Sequence, residues 1–144
     1  MQDIKEFLVK AKKSTYANEK AKEIKIKGGG KLLTFSEGKF HYQDKYFGTN
    51  PFCGEEIVLL DRKVIWVMNY YGQAKNKEVY TFLKKSLKRV EKNKPFRGPT
   101  KFKEGKFEYT NKVLGNMGGF IGEEKITKNK KQIYGGHYHG GFVK

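Results

Sequence analysis

Residues 37–48 read EGKFHYQDKYFG, and residues 104–115 read EGKFEYTNKVLG. Working outward, Phe52-Cys53-Gly54-Glu55-Glu56 is answered by Phe120-Ile121-Gly122-Glu123-Glu124. Lys63, Ile65, Tyr70 and Gly72 recur as Lys131, Ile133, Tyr138 and Gly140, with a single inserted residue keeping the register. On the other side, Ile4, Phe7 and Leu8 are echoed by Val79, Phe82 and Leu83. A unit repeated in this way is one supersecondary piece packed against its copy. The reading is an α+β fold, an internally duplicated helix-plus-four-strand unit forming one antiparallel sheet with two packed helices. Residues 1–144 form a single domain, with residues 1–73 as the first repeat and 74–144 as the second. A site is then expected where the halves meet, and at positions where the copies differ.

The chain has 144 residues, enough for one domain with a real core. No apolar run reaches the ~18 residues needed to cross a bilayer. The opening MQDIKEFLVKAKK carries an early acidic residue and no apolar core, so it does not read as a signal peptide. Cys53 is the only cysteine, which excludes an internal disulfide and fits a cytoplasmic setting. The formal charge of +16 raises the alternative of a nucleic-acid-binding protein using a lysine-rich surface. Against it, only Arg62, Arg89 and Arg97 among the 31 basic residues are arginine. Arginine dominates contacts to bases and phosphates, and the lysines are scattered, so a solvated surface is the simpler reading.

Residues 3–13 place Ile4, Phe7, Leu8 and Ala11 at helical spacing, with lysines on the other face. The helix should end near Ser14-Thr15-Tyr16-Ala17. The lysine-rich stretch after it and Gly28-Gly29-Gly30 read as a loop with a flexible hinge. A phosphate-binding loop would need a strand before the glycines and a helix after them. Strands follow from Lys31, with a turn at Ser36-Glu37-Gly38 and a hairpin of residues 52–60 and 63–71. Residues 77–91 read as the second helix, with Val79, Phe82, Leu83, Leu87 and Val90 inward. Asn93 to Pro99 break it, and strands recur at 100–103, 106–111, 120–128 and 131–139.

Two-residue turns at Asp61-Arg62 and Asn129-Lys130 set Glu56 opposite Val67 and Glu124 opposite Gly135. One face then carries Glu56, Val58, Ile65, Val67, Asn69 and Tyr71, and its copy carries Glu124, Ile126, Ile133, His137 and His139. This is the expected core side. The other face, with Trp66, Met68 and Tyr70, is apolar in the first hairpin and polar in the second. The first hairpin is thus expected to be covered on both faces, the second on one. A slip of one residue would exchange the faces.

On this register the candidate ligand-binding residues are Glu56, Asn69, Tyr71, Glu124, His137 and His139. An inward carboxylate can hold a cation or a ligand amine, or act as a base. It can equally lock the two copies together, and in either role a buried charge needs a partner. His137 and His139, with Glu124, carry the donor types of a metal site, against the simpler reading of polar residues near a glycine-rich end. Tyrosines among the strands are suited to lining a pocket for a small organic molecule. No nucleophile–base signature occurs, and Cys53 has no basic partner implied.

Several stretches together resemble a bacterial family of uncharacterised domains. They are Phe7-Leu8 to Thr15-Tyr16-Ala17, Tyr42-x-Asp44-x-Tyr46-Phe47-Gly48, Phe52-x-Gly54-Glu55-Glu56, Trp66-x-Met68-Asn69-Tyr70-Tyr71-Gly72, Pro95-Phe96-Arg97-Gly98 and Gly122-Glu123-Glu124. Members occur alone or behind a helix-turn-helix DNA-binding domain, and the resemblance implies sensing or partner binding without an assigned activity. The combined expectation is a ligand-binding or regulatory module rather than an enzyme. Its partner is a small molecule or another protein, and it has no membrane association.

Overall fold

The computed structural model describes residues 3–15, 17–18 and 20–144. Its elements run α1 (Ile4–Ser14), β1 (Ile24–Ile26), β2 (Gly30–Glu37), β3 (Phe40–Gly48), β4 (Phe52–Leu60), β5 (Lys63–Ala74), α2 (Val79–Leu87), β6 (Lys101–Glu104), β7 (Phe107–Asn116), β8 (Gly119–Lys128) and β9 (Lys131–Phe142). The strands form one antiparallel sheet in the order β1-β2-β3-β4-β5-β9-β8-β7-β6. The α+β class and the two helices agree with the sequence reading. Tyr16, at the expected end of the first helix, lies outside the described residues.

Each helix follows from its own residues. Asp3 caps α1 by accepting from the Lys5 backbone N–H at 2.9 Å, and Phe7, Leu8 and Ala11 are buried. The Phe7 ring packs 5.1 Å from Phe40 and 5.7 Å from Phe35, seating α1 over β2 and β3. α2 buries Val79, Phe82, Leu83 and Leu87. Phe82 stacks 5.4 Å from Phe102 and 5.1 Å from Phe107, seating α2 over β6 and β7. Both helices lie on one face of the sheet, because the ladders carry that face across from Tyr42 through Val58 to Trp66 and, on the far side, from Tyr138 to Tyr109. Among the described residues no helix is long and apolar enough to cross a membrane.

The glycine-rich stretch is not a hinge. Gly28 and Gly29 adopt φ of 90° and 88° and join β1 to β2, a hairpin the alternation Ile24-Lys25-Ile26 supports. Among the described residues five strands therefore precede α2, not four.

The two hairpin turns are as expected. Asp61 and Arg62 have φ of 48° and 71°, and Asn129 and Lys130 have 51° and 66°, the left-handed pair of a two-residue hairpin whose twist matches its strands. The register beyond them is not as expected. Leu59 pairs with Val64 but Val58 pairs with Trp66, so Ile65 is an extra residue in the ladder. Thr127 pairs with Gln132 but Ile126 pairs with Tyr134, so Ile133 is extra in the same way. Each β-bulge inverts the parity of its strand. The freed carbonyls have partners in the opposite hairpin, since Val143 N–H donates to Ile65 and Lys75 N–H donates to Ile133, both at 2.9 Å. The core face thus joins Glu56 and Val58 to Trp66, Met68 and Tyr70, all buried. Trp66 is covered as expected, but on the same face as Glu56, and the outer face of the first hairpin is not fully covered: Cys53 is exposed, and Ile57 and Leu59 are half-buried.

β5 and β9 join the strands before α2 to those after it. Tyr70 pairs with Tyr138, Trp66 with Phe142 and Ala74 with Tyr134. The glycines of the Gly-Glu-Glu motifs face these tyrosines, Gly54 across from Tyr70 and Gly122 across from Tyr138. A Cβ on Gly122 would fall 2.0 Å from the Tyr138 ring. Gly122→Ala is therefore expected to cost on the order of 1–3 kcal/mol, read as a lower urea midpoint. A loss under roughly half a kcal/mol, the scale of an ordinary surface change, would remove this account of the motif.

Candidate functional site

The second glutamate of each Gly-Glu-Glu motif points into the core, and each has a cation. Glu56 and Glu124 are buried, at 0% and 2% exposure. Lys12, from the buried side of α1, lies with its Nζ 2.9 Å from Glu56 Oε1 and donates to the Phe96 carbonyl. Arg97, in the loop after α2, donates to Glu124 Oε1 from NH2 at 2.7 Å and from Nε at 3.1 Å. Tyr109 and Tyr134 hydroxyls donate to the same carboxylate at 2.6 and 2.7 Å. Burial by itself would raise the Glu124 pKa; the Arg97 charge and these hydrogen bonds more than offset it and hold the group below the usual glutamate value. Burial acts the other way on Lys12 and lowers its pKa, although Glu56 opposes the shift.

A third carboxylate sits beside the first pair. Asp44 is directly across the ladder from Glu56 and 1% exposed. Its Oδ1 accepts from the Tyr70 hydroxyl at 2.5 Å. Burial, reinforced by the neighbouring Glu56 charge, pushes the Asp44 carboxyl up to about 7. The residue aligned with Asp44 in the sequence stretch 104–115 is Asn111, across the ladder from Glu124. Asn111 accepts from the Tyr138 hydroxyl at 2.6 Å and donates to the Gly98 carbonyl at 3.0 Å. Beside Glu124 the neighbour is thus an amide whose hydrogen bonds the protein completes, and beside Glu56 it is an ionisable acid.

Asp44 opens onto a cavity of about 420 Å³. Its floor is Asp44, Tyr70 and Arg97, all buried, with the guanidinium 5.0 Å from the centre of the Tyr70 ring. Leu33 and Phe52 of the sheet and Tyr80, Leu83 and Leu87 of the second helical region form the walls. Exposed Lys31, Lys84 and Asn18 stand at the rim. The cavity thus draws residues from before and after residue 74, and combines apolar walls with an acid, a phenol and a guanidinium at its base.

The six residues singled out from sequence do not come together. Glu56 and Glu124 are on the core face as expected. Asn69, Tyr71, His137 and His139 are on the opposite face, because the bulges at Ile65 and Ile133 turn them away. Asn69 pairs with His139 and Tyr71 with His137 across the β5–β9 ladder, and Tyr71 is 48% exposed. His137 and His139 therefore cannot share a ligand set with Glu124. Among the described residues no group of three or more His, Cys, Asp and Glu side chains is placed to hold a metal ion.

Sequence reasoning missed Lys12, Asp44 and Arg97. Lys12 continues the spacing of Ile4 and Leu8 and so lies on the apolar stripe of its helix. Asp44 stands against Asn111 within the two aligned stretches, a charge difference visible in the sequence. Arg97 is one of only three arginines and lies in a helix-breaking segment.

No curated protein and no solved structure is significantly similar to this chain. The model of the family described as "Domain of unknown function (DUF5680)" matches residues 44–143, a span that starts at Asp44 and includes Tyr70, Arg97 and Glu124. The chain belongs to that family.

Proposed function

We propose that this protein is a small-molecule-binding module whose ligand occupies the cavity over Asp44, Tyr70 and Arg97. One observation carries the reading: a cavity of about 420 Å³ has three buried polar side chains of different chemistry converging at its base. Ligand sites are concave, ~300–1,000 Å³, mostly apolar, and oriented by a few fixed polar groups. The proposal includes an internally duplicated architecture of residues 1–73 and 74–144 in one domain. Its support is the reciprocal pairing about Tyr70 and Tyr138 and the matching bulges at Ile65 and Ile133. On this view the copies share a structural carboxylate, Glu56 or Glu124, and diverge at Asp44 and Asn111. A regulatory role in the cytoplasm is the setting we propose, resting on the resemblance to domains joined to DNA-binding modules and on the lone cysteine. No catalytic step is proposed.

Ala21 lines the cavity and is half-buried, so Ala21→Trp can block the cavity with little change to the core. A thermal-shift screen of a small-metabolite library should yield compounds that raise the melting temperature of the wild type by several degrees and leave Ala21→Trp unmoved. Hits that act equally on both proteins, or a screen without hits, would count against the cavity as the site.

A further inference from the structure

Five charged residues, Lys12, Asp44, Glu56, Arg97 and Glu124, are buried at and behind the base of the cavity, and they do not balance. Lys12 is paired with Glu56 and Arg97 with Glu124. Asp44 remains, held by a neutral phenol, with no ion-pair partner among the described residues. Its neighbours are Glu56 on β4, Tyr70 on β5, Lys12 on α1, Arg97 in the loop after α2 and Tyr46 on its own strand. With all five groups charged the cluster carries one negative charge in excess, a costly state away from water. The excess is removed by a proton on Asp44 or by a cation brought from outside. The second half has no such excess, because Asn111 is neutral and completes its hydrogen bonds to Tyr138 and Gly98.

We infer that the ligand of this cavity carries a basic nitrogen, an ammonium or amidinium group on a small apolar or aromatic body, and that this group docks on the Asp44 carboxylate. The inference rests on the small-ligand reading above. Leu33, Phe52, Leu83 and Leu87 take the apolar body, while the cation restores neutrality at the base. An anionic head group is disfavoured: Arg97 is already committed to Glu124, and a further anion would double the local excess. The overall charge of +16 does not reverse this. Exposed lysines are screened beyond about 10 Å at 0.1 M salt, whereas Asp44 and a docked ammonium would be in contact.

The ligand cation and the Asp44 proton compete for one position. Because Asp44 titrates near 7, affinity for an amine should fall roughly tenfold for each pH unit below about 7 and level off above it. The test uses three probes with one aromatic body: 2-phenylethylamine, 2-phenylethanol and 3-phenylpropionate. They are titrated into the full chain by NMR at pH 5.5 and 8. At pH 8 the amine should bind at least tenfold more tightly than the other two, and at pH 5.5 that preference should shrink. In Asp44→Asn the preference should vanish while the alcohol still binds. That variant is expected to fold, since an asparagine accepts from the equivalent tyrosine in the second half. Binding of the alcohol or the acid as tightly as the amine would overturn the cation inference and leave the cavity reading standing. An amine preference unchanged in Asp44→Asn would likewise overturn it. Absence of cavity shifts with all three probes would overturn both.

Discussion

Arg97→Met is expected to lower the stability of the protein by about 3–5 kcal/mol at pH 7.5, the usual cost of stripping one partner from a buried ion pair. Arg97 is 3% exposed and gives Glu124 two hydrogen bonds, at 2.7 and 3.1 Å. Without it Glu124 keeps the Tyr109 and Tyr134 hydroxyls at 2.6 and 2.7 Å, but two neutral donors do not replace a charge. Burial would then raise the orphaned carboxyl, which would take up a proton more readily than in the wild type, so the loss should shrink as pH falls. Removing both charges separates this cost from lost packing. Arg97→Met combined with Glu124→Gln should recover most of the loss, because a buried pair and a neutral pair of similar volume are close in free energy. Urea unfolding of the two single variants, the double variant and the wild type completes the cycle. A double variant as unstable as Arg97→Met alone would mean that Arg97 acts by packing over Tyr70, not by pairing with Glu124.

The two helices were legible from apolar spacing, and the strands from β2 onward from alternation and turn residues. Asp61-Arg62 and Asn129-Lys130 mark their hairpin turns in this way, whereas the three-residue β1 among lysines does not stand out from a loop. The faces of β5 and β9 were not legible from turn geometry. Ile65 and Ile133 are β-branched residues at home in a regular strand, and nothing about them announces an extra residue in the ladder. A signal was nevertheless present in the pattern beyond them. Trp66, Met68 and Tyr70 are a more apolar set than Val67, Asn69 and Tyr71. Joining that set to Glu56 and Val58 gives one coherent core face only if a residue is skipped.

The site was less legible than the sheet, and the reason lies in its charges. Periodicity assigns lysine, aspartate and arginine to water, because an isolated buried charge is too costly. Lys12, Asp44 and Arg97 are buried only because α1, β3 and the loop after α2 bring complementary groups together across long stretches of chain. No local window contains both members of Lys12 and Glu56, or of Arg97 and Glu124. What a local comparison does contain is the difference between Asp44 and Asn111, and that difference marks the carboxylate that lines the cavity.

Asp44→Asn should make the protein more stable above neutral pH, with a gain that depends on pH in a defined way. Asp44 is raised from 3.8 to about 7 by burial and by Glu56, so the folded state holds its proton more tightly than the unfolded chain does. Between about 4 and 7 the folded form therefore binds more protons, and stability falls as pH rises through that window. Below it Asp44 is protonated in both states and contributes no slope; above it the full penalty is present. At 1.36 kcal/mol per unit, a shift of this size sets an upper bound of roughly 4 kcal/mol on the penalty. Glu124 acts with the opposite sign at acid pH, since its lowered pKa adds stability that is lost as pH falls below the unfolded value of 4.5. Lys12 also opposes Asp44: with its pKa lowered, the folded state gives up a proton the unfolded chain retains, so its stability contribution rises with pH toward 10.5. Both groups are common to the wild type and the variant, and the difference between the two proteins isolates Asp44. Urea unfolding at pH 5, 6, 7 and 8 should show Asp44→Asn gaining on the wild type up to about pH 7 and then holding a constant lead. A lead that does not change with pH would mean that Asp44 remains ionised in the folded protein throughout this range. The charge imbalance at the base of the cavity would then already be met by the protein itself.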